Sequence, residues 1–241
     1  MNTDKNTNKM KYKLGLVVGR FQPFHNGHVY IIDEALKIAE EVCILVGSSQ
    51  ESGTEHNPFS YELRRDLIES TYKSEVRDKR LFIRPLPDAG LGNVSAWGDY
   101  VIKKAVEYMG RIPDVFVTGE ESRRTSWFAN YSFDEISVTK VGEPSSCQTE
   151  EPKAGDSLSC QIEEPKAGDS SSCQIEEPKA GEPSSCQTTV TNYSATGIRK
   201  YLLLNDRDSF AAEVPPEILG RFDELRNILL ESVGNTKTQS I

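Results

Sequence analysis

Residues 13–39 read KLGLVVGRFQPFHNGHVYIIDEALKIA and join an apolar run to a helical pattern through a turn with two histidines. Lys13–Val18 is a short, mostly apolar run of the kind that forms a buried strand. Val29–Ala39 repeats apolar residues at helical spacing. Gly19 follows the apolar run directly and allows the chain to turn sharply. This stretch therefore predicts a strand, a tight turn and a helix, the repeating unit of an α/β fold.

Further strand-like and helix-like patterns alternate along the chain. The strand-like runs are Val42–Gly47, Leu81–Pro85 and Asp114–Thr118, and the helical patterns are Tyr61–Thr71, Val94–Met109, Ala195–Leu204 and Pro216–Glu231. Strands that alternate with helices indicate βαβ units and a parallel sheet with helices on both faces. The loops after such strands meet at one edge of the sheet, where open α/β sheets bind ligands. We therefore expect an α/β protein with a Rossmann-like parallel sheet flanked by helices and a helical C-terminal part.

The turn GRFQPFHNGH carries the side chains of a phosphate site. His25 and His28 stand three residues apart near the start of the predicted helix, so both could donate hydrogen bonds to phosphate oxygens. A helix N-terminus favours anions, and Arg20 adds a fixed positive charge. Asn26 is the expected cap, and Gly27 lets a ligand approach the backbone. The competing interpretation is a capped turn with purely structural histidines, but the combination of Arg, Gly, Pro and two His directly after a strand favours the phosphate site.

The composition limits the class of protein. The net charge of −9 supplies no basic surface of the kind that binds nucleic acid. No run approaches the roughly 18 apolar residues of a membrane helix. The polar N-terminus MNTDKNTNKMKYK lacks the apolar core of a secretory signal. We therefore expect a cytoplasmic protein that binds neither nucleic acid nor a membrane.

A low-complexity insert, predicted at 143–188, carries most of the acidity. Between Glu143 and Gln187 there are ten acidic residues and three lysines, and a 13-residue repeat places cysteines at positions 147, 160, 173 and 186. The block is rich in Pro, Gly, Ser and Glu and poor in large apolar residues, which predicts disorder. Zinc sites usually use close cysteine pairs, and a solenoid needs more apolar residues in each repeat. A tandem duplication in a surface loop is therefore favoured, while a metal site, disulfides and an interaction tether stay open.

We predict a single domain over 12–232 that this insert interrupts, with flexible tails at 1–11 and 233–241. Removal of the insert would join the strand-like run FDEISVTKV to the segment TNYSATGIRKYLL, which opens a helix. The insert is therefore expected between a strand and a helix of the same domain.

Four stretches together resemble a known family. GRFQPFHNGH resembles the H-x-G-H motif of the nucleotidylyltransferase superfamily, and specifically the archaeal-type nicotinamide-mononucleotide adenylyltransferases. HNPFSYELRRDLI (56–68), YSATGIR (193–199) and the tail LLLNDRDSFAAEVPPEIL are similar to further segments of the same family. The resemblance covers about residues 12–141 and 189–232 and leaves the repeat outside.

The resemblance implies transfer of AMP from ATP to nicotinamide mononucleotide, which gives NAD and pyrophosphate. It assigns catalysis to His25, His28, Arg20 and Arg199, with His28 nearest the α-phosphate and Arg199 on the leaving pyrophosphate. The residues it assigns to ATP and its phosphates are Gly19, Phe21, Gly27, Ser194, Thr196 and Gly119. It also implies Mg²⁺, bound mostly through substrate and water rather than by a protein metal site, and a tendency to form homo-oligomers.

The segment LPDAGLGNVSAW (86–97) resembles the part of the family that binds the pyridine ring. It assigns Trp97 to stacking on the nicotinamide, with Asp88 and Asn93 nearby, and Arg64 is the fourth residue assigned to the mononucleotide. The alternatives are that Trp97 packs in the core, that Arg64 lies along a helix surface, and that Gly119 belongs to a plain turn.

Some positions depart from the family pattern. Ala195 stands where the family commonly has Gly, and Gly197 stands where it has an acidic residue. The stretch QTTVTN replaces a basic segment before the YSATGIR motif, so Lys140 would have to supply that contact.

Several other functions remain open. One set comprises related transferases that act on nicotinate mononucleotide, phosphopantetheine or a flavin, or that use CTP. Another is a non-catalytic nucleotide-binding scaffold that works through the repeat. Class I aminoacyl-tRNA synthetases also use H-x-G-H, but this chain has no K-M-S-K-S run and no basic face for tRNA.

Overall fold

A computed structural model describes residues 10–90, 95–119, 127–138 and 193–238, with side chains through residue 234. Its centre is a sheet of five parallel strands in the order β3-β2-β1-β4-β5. The strands are β1 (Tyr12–Gly19), β2 (Ala39–Gly47), β3 (Leu81–Leu86), β4 (Val115–Gly119) and β5 (Asp134–Val138). The predicted Rossmann-like parallel sheet is therefore confirmed. The predicted insert and Asn93 lie outside the described residues.

The central strands are apolar toward both faces of the sheet. In β2, Val42, Ile44 and Val46 face a larger core, whereas Cys43 and Leu45 face a smaller one on the other side of the sheet. A strand that is buried on both faces reads as a continuous apolar run rather than an alternating one, which is typical of parallel sheets. This is why VCILV is recognisable as a strand from sequence.

Helices cover both faces of the sheet. They are α1 (Asn26–Ile38), α2 (Tyr61–Thr71), α3 (Lys73–Arg77), α4 (Ser95–Met109), α5 (Ala195–Leu204), α6 (Arg207–Glu213), α7 (Pro216–Leu219) and α8 (Phe222–Thr238). The larger core contains side chains of α1, α2 and the C-terminal helices, and the smaller core contains those of α4 together with Phe128. The described residues on both sides of the insert belong to one compact unit. The exact domain boundaries stay a prediction.

The single helix predicted over Pro216–Glu231 was wrong, because the chain breaks into α7 and α8. Gly220 caps the end of α7, and its backbone N–H donates to the carbonyl of Ile218. Glycine has low helix propensity, so a helix ends readily there. Within the described ranges, no helix combines the length and the apolar character needed to cross a bilayer.

The packing of α4 requires a glycine at position 98. A Cβ atom built on Gly98 would lie 1.6 Å from the backbone oxygen of Trp127 and 2.5 Å from its carbonyl carbon. Backbone atoms of another segment therefore occupy the space of a side chain, and α4 can approach the segment at Trp127 closely only with glycine here. The contact fixes the segment that carries Trp127 and Phe128 against the first turn of α4.

We expect Gly98→Ala to lower the free energy of unfolding by about 1–3 kcal/mol, because the added methyl group overpacks this contact. Helix propensity alone predicts the opposite sign, a gain of about 1 kcal/mol. Urea unfolding measures the difference. Gly220→Ala is the matched control, since a Cβ there meets no atom within 4 Å and should change stability by less than about 0.5 kcal/mol. Equal stability of Gly98→Ala and wild type would contradict the close approach.

Candidate active site

His25 caps the helix that follows β1. Its Nδ1 accepts a hydrogen bond from the backbone N–H of Gly27 at 3.1 Å, and its side chain is only 6% exposed. The expectation that Asn26 forms the cap was wrong, because the Asn26 amide instead donates to the carbonyl of Ala212 at 3.3 Å. Since Nδ1 of His25 is an acceptor, the proton of the neutral ring is assigned to Nε2. Burial lowers the pKa of His25 to about 4, so the ring is neutral at pH 7 and Nε2–H is a donor.

The ring of His28 packs against His25 and against two phenylalanine rings. The ring centroids of the two histidines are 3.7 Å apart. The His28 ring also packs against Phe21, at 4.6 Å, and stacks on Phe24, at 5.8 Å. Phe21 adopts a left-handed backbone conformation with φ of 53°, and its ring is buried. The structure thus places Phe21 beneath His28, where it holds the imidazole in position.

The late motif YSATGIR brings a second helix N-terminus to this place. Ser194 caps α5, and its hydroxyl oxygen accepts a hydrogen bond from the N–H of Gly197 at 3.0 Å. Thr196 is exposed in the first turn of α5, and its hydroxyl lies 3.4 Å from an Arg199 nitrogen. The other terminal nitrogen of Arg199 donates to the backbone carbonyl of Gln22 at 2.7 Å. Two segments 177 residues apart therefore meet in one site.

Gly27 is required because Tyr193 packs directly on it. A Cβ atom at Gly27 would lie 2.8 Å from the Tyr193 Cβ and 3.0 Å from Cε1 of His25. The Tyr193 ring stacks near the His25 ring at 6.4 Å. Sequence reasoning justified Gly27 by the approach of a ligand, whereas the structure shows that the approach of α5 is enough to exclude a side chain.

The site has a positive electrostatic character. Burial and the neighbouring charge of Arg20 lower the pKa of Arg199, and Glu55 opposes this change. A guanidinium keeps its charge at neutral pH even so, which means that two cations lie close together beside two helix N-termini. Such a group of donors favours an anion with several negative charges.

The site lies where open α/β sheets bind ligands. Gly19 and Gly119 are the last residues of β1 and β4, which are neighbours in the centre of the sheet. The strand order reverses direction between these two strands, and ligands bind at the carboxyl ends of strands at such a point. A Cβ at Gly119 would lie 3.3 Å from the Ile31 side chain, so this glycine also lets α1 approach β4.

Arg64, which the resemblance assigns to the mononucleotide, has its side chain in the interior of the protein. Arg64 is 0% exposed, and its guanidinium is enclosed by backbone carbonyls. It donates to the carbonyl oxygens of Arg20, Gly47, Ser48 and Ser60 at 2.7–3.2 Å. Four of its five N–H groups are used for these carbonyls, and the side chain has no exposed face for a ligand. Arg64 therefore connects the turn after β1, the end of β2 and the start of α2 beneath the site.

The residues assigned to the pyridine ring lie beside the ends of β2 and β3. The Asp88 backbone N–H donates to the Gln50 side-chain oxygen at 2.9 Å, and the Gln50 amide donates back to the Asp88 carboxylate at 3.2 Å. Trp97, in the first turn of α4, is partly buried and packs against Trp127 with ring centroids 4.2 Å apart. The structure thus brings Asp88 and Trp97 to the same end of the sheet as the histidines, on the side of α4.

Two residues that sequence reasoning did not assign to the site hold it together. Gln22 supplies the carbonyl that Arg199 binds, and Tyr193 forms the contact between α5 and Gly27. Both lie inside the recognised motifs, but an uncharged side chain gives no sign of such a role. No cluster of three or more His, Cys, Asp or Glu side chains that could hold a metal ion occurs among the described residues.

Known proteins resemble this chain over part of its length. The model of a family described as cytidylyltransferase-like matches residues 16–175. A nicotinamide-nucleotide adenylyltransferase from Saccharolobus solfataricus is 46% identical over 88 residues, which cover 36% of this chain and 50% of that protein. One from Thermococcus kodakarensis is 38% identical over 108 residues, which cover 44% of this chain and 54% of that protein. The resemblance expected from the motifs is thereby confirmed.

The match leaves much of these relatives uncovered, since this chain spans about half the length of the curated relatives. Among solved structures, it is similar to a bifunctional NMN adenylyltransferase/ADP ribose pyrophosphatase from Francisella tularensis, complexed with AMP and a Mn ion. That similarity has 30% identity and a TM-score of 0.45, and it covers 53% of this chain and 37% of the other.

The buried, neutral His25 should make the protein less stable in mild acid. The unfolded chain takes up a proton near the ordinary pKa of 6.5, whereas the folded protein does so only near 4. Stability is therefore fully present above pH 6.5 and falls as the pH decreases through this window. Between pH 7 and pH 5, wild type should lose about 2 kcal/mol more than His25→Asn, which keeps a capping side chain. Urea unfolding at both pH values measures this, and equal losses would contradict a neutral His25.

Replacement of Arg64 should destabilise the loops of the site. Arg64→Met removes a buried guanidinium that donates to four carbonyl oxygens, of which those of Ser48 and Ser60 keep a backbone donor, and we expect a loss of about 3 kcal/mol in the free energy of unfolding. Arg65→Met is the matched control, because Arg65 is exposed and only pairs with Glu69 on the same helix. It should cost less than about 0.5 kcal/mol. Similar losses in both variants would show that Arg64 has no special structural role.

Proposed function

This chain belongs to the cytidylyltransferase-like family, and on that basis we propose that it transfers AMP from ATP to nicotinamide mononucleotide, forming NAD and pyrophosphate. The observation that carries this proposal is the meeting of the N-termini of α1 and α5, with Arg199 anchored on Gln22 and His25 in contact with His28. This arrangement supplies N–H donors and positive charge around one point, as a triphosphate requires. The names of the relatives supply the acceptor.

The reaction needs alignment and charge neutralisation rather than an enzyme nucleophile. A phosphate oxygen of the mononucleotide forms a bond to the α-phosphorus of ATP, and the bond from that phosphorus to the bridging oxygen of pyrophosphate breaks. The electron pair leaves with pyrophosphate, and no proton transfer to the protein is required. In phosphoryl-type transfers most of the rate increase comes from positioning and electrostatics.

Each side chain of the site has a definite role in this proposal. His25, neutral and with its Nε2–H outward from the cap, donates a hydrogen bond to a phosphate oxygen. His28 binds nearest the α-phosphate, and Phe21 keeps its ring in place. Arg20 and Arg199 hold the β- and γ-phosphates, and Arg199 stabilises the charge that develops on the leaving pyrophosphate. The hydroxyls of Ser194 and Thr196 and the first N–H groups of α5 face the same phosphates.

Magnesium enters with ATP as part of the substrate in this proposal. Mg²⁺ is a hard cation that keeps several water ligands and binds phosphate oxygens in nucleotide sites. Its role would be to neutralise charge on the triphosphate, in addition to the two guanidinium groups.

The acceptor site extends from the phosphates toward Trp97 and Asp88. One side of the Trp97 indole contacts Trp127, so we propose that the other side stacks on the pyridine ring. Asp88, held by Gln50, would accept a hydrogen bond from the carboxamide and disfavour the negatively charged nicotinate form. The Asn93 contact, the cytoplasmic location and the homo-oligomer stay predictions.

The decisive experiment offers ATP or CTP with each acceptor and identifies the product by mass. We expect NAD from ATP and nicotinamide mononucleotide, and His28→Ala should reduce its formation by ~10²-fold or more through loss of a transition-state contact. His56→Ala is the matched control, because His56 is exposed and should behave like wild type.

Three results would contradict the proposal. They are transfer only with another acceptor or with CTP, a loss of less than a few-fold in a folded His28→Ala protein, and no NAD at all. A chain without residues 143–187 tests the scaffold alternative, since we expect it to retain transfer near the wild-type rate.

A further inference from the structure

Gln22 is a buried amide whose two polar atoms have the same backbone partner. Its Nε2 donates to the carbonyl oxygen of Phe59 at 3.0 Å, and its Oε1 accepts from the N–H of Phe59 at 3.0 Å. The residue is only 2% exposed. A side-chain amide that binds both backbone groups of one residue imitates a strand pairing and fixes both partners in direction. The side chain of Gln22 is therefore locked to the segment that precedes α2.

The backbone of the same residue holds the guanidinium of Arg199. Nη1 of Arg199 donates to the Gln22 carbonyl at 2.7 Å, a short and charge-assisted hydrogen bond. An arginine side chain has high conformational freedom. When one of its N–H groups is bound to a fixed acceptor, the planar guanidinium is oriented and its other N–H groups take defined directions. The remaining donors of Arg199 can point at a phosphate only as accurately as this carbonyl is placed.

The locked side chain and the anchoring carbonyl belong to one residue in a tight turn. Phe21, directly before it, adopts a left-handed backbone, and Arg64 binds the carbonyl of Arg20 at 2.8 Å. Two sets of hydrogen bonds thus hold the turn: Arg64 binds the backbone carbonyl of Arg20, and the side chain of Gln22 binds the backbone of Phe59. An apolar residue at position 22 would leave the peptide of Phe59 unpaired in the interior and release one of these restraints.

We propose that Gln22 is a positioning residue that aims Arg199 at the leaving pyrophosphate; this rests on the function proposed above. Gln22 itself contacts no reacting atom. It fixes the direction of its own carbonyl through the two hydrogen bonds to Phe59, and the carbonyl fixes Arg199. Displacement of a charge-stabilising group by about 1 Å can cost ~10²-fold in rate, so a restraint of this kind affects the chemical step.

The test is a double-mutant cycle between position 22 and Arg199. Gln22→Met keeps the length of the side chain but removes both hydrogen bonds, and we expect kcat to fall by roughly 10- to 100-fold while KM for nicotinamide mononucleotide changes little. In an Arg199→Ala background the same substitution should cost less than about 3-fold, because the residue that it positions is already absent. A purely structural role predicts the same fold-loss in both backgrounds, and that result would overturn the proposal. So would a folded Gln22→Met protein within 3-fold of wild type.

Gln22→Glu provides a second variant if Gln22→Met does not fold. A protonated carboxyl group can replace the amide on both groups of Phe59, whereas a carboxylate repels the Phe59 carbonyl. The activity of Gln22→Glu relative to wild type should therefore rise as the pH is lowered. A ratio that is constant with pH would contradict the role of the two hydrogen bonds.

Binding of inorganic pyrophosphate, measured by calorimetry, separates this proposal from the proposed function. Gln22→Met and Arg199→Ala should weaken binding to a similar extent, and the double variant should bind no more weakly than Arg199→Ala alone. This pattern without NAD formation by the wild type would support the positioning role and reject the acceptor. Wild-type binding of pyrophosphate that Gln22→Met leaves unchanged, or no binding by wild type, would overturn the positioning role.

Discussion

The hydrogen bond from Arg199 to the backbone carbonyl of Gln22 is the contact on which the site depends. It joins the turn after β1 to α5 across 177 residues of sequence, and Tyr193 on Gly27 strengthens the same junction. Ile198 and Leu202 hold α5 in the larger core, and this junction brings its N-terminus to that of α1. Each of the two motifs forms its helix N-terminus from local sequence, and the bond between Arg199 and Gln22 joins them in one site.

The junction also brings like charges together, which has an energetic cost. Arg20 and Arg199 are close enough for the charge of one to lower the pKa of the other. Glu55 offsets this repulsion in part, and a polyanion such as a triphosphate would offset it further. Burial and the charge of Arg20 also lower the pKa of Arg64, but its guanidinium donates to four carbonyl groups below the site. The same residue type thus has two uses around one site, one structural and one proposed for a ligand.

Some features of the site could be predicted from the sequence and others could not, because residue types differ in how clearly they indicate their role. The strands were predictable because VCILV and its equivalents are apolar on both faces, and GRFQPFHNGH was predictable because charged and titratable groups follow a strand. The cap of α1 was not predictable, because Asn is in general a better capping residue than His. Only the structure shows that the side chain of His25 accepts the capping hydrogen bond. The burial of Arg64 was not predictable either, because arginine is mostly exposed and its four acceptors come from separate loops. Gln22 was missed for a related reason, since a neutral amide carries no chemical signal and its importance lies in where its backbone points.

The packing of α5 explains why a long connection between β5 and α5 is tolerated. The described chain leaves β5 at Val138 and returns at Tyr193, so 54 residues connect two fixed points. For a flexible connection, each doubling of length costs only about 0.6 kcal/mol in closure entropy. With the disorder predicted from the sequence, a connection of this length is about 1 kcal/mol less favourable than one of about 15 residues. The burial of Ile198 and Leu202 in the larger core exceeds that cost, since each fully buried aliphatic side chain contributes about 1.5–3 kcal/mol. The register of α5 is set by what it contacts after Tyr193, so a long insertion directly before that residue leaves the geometry of Arg199 unchanged.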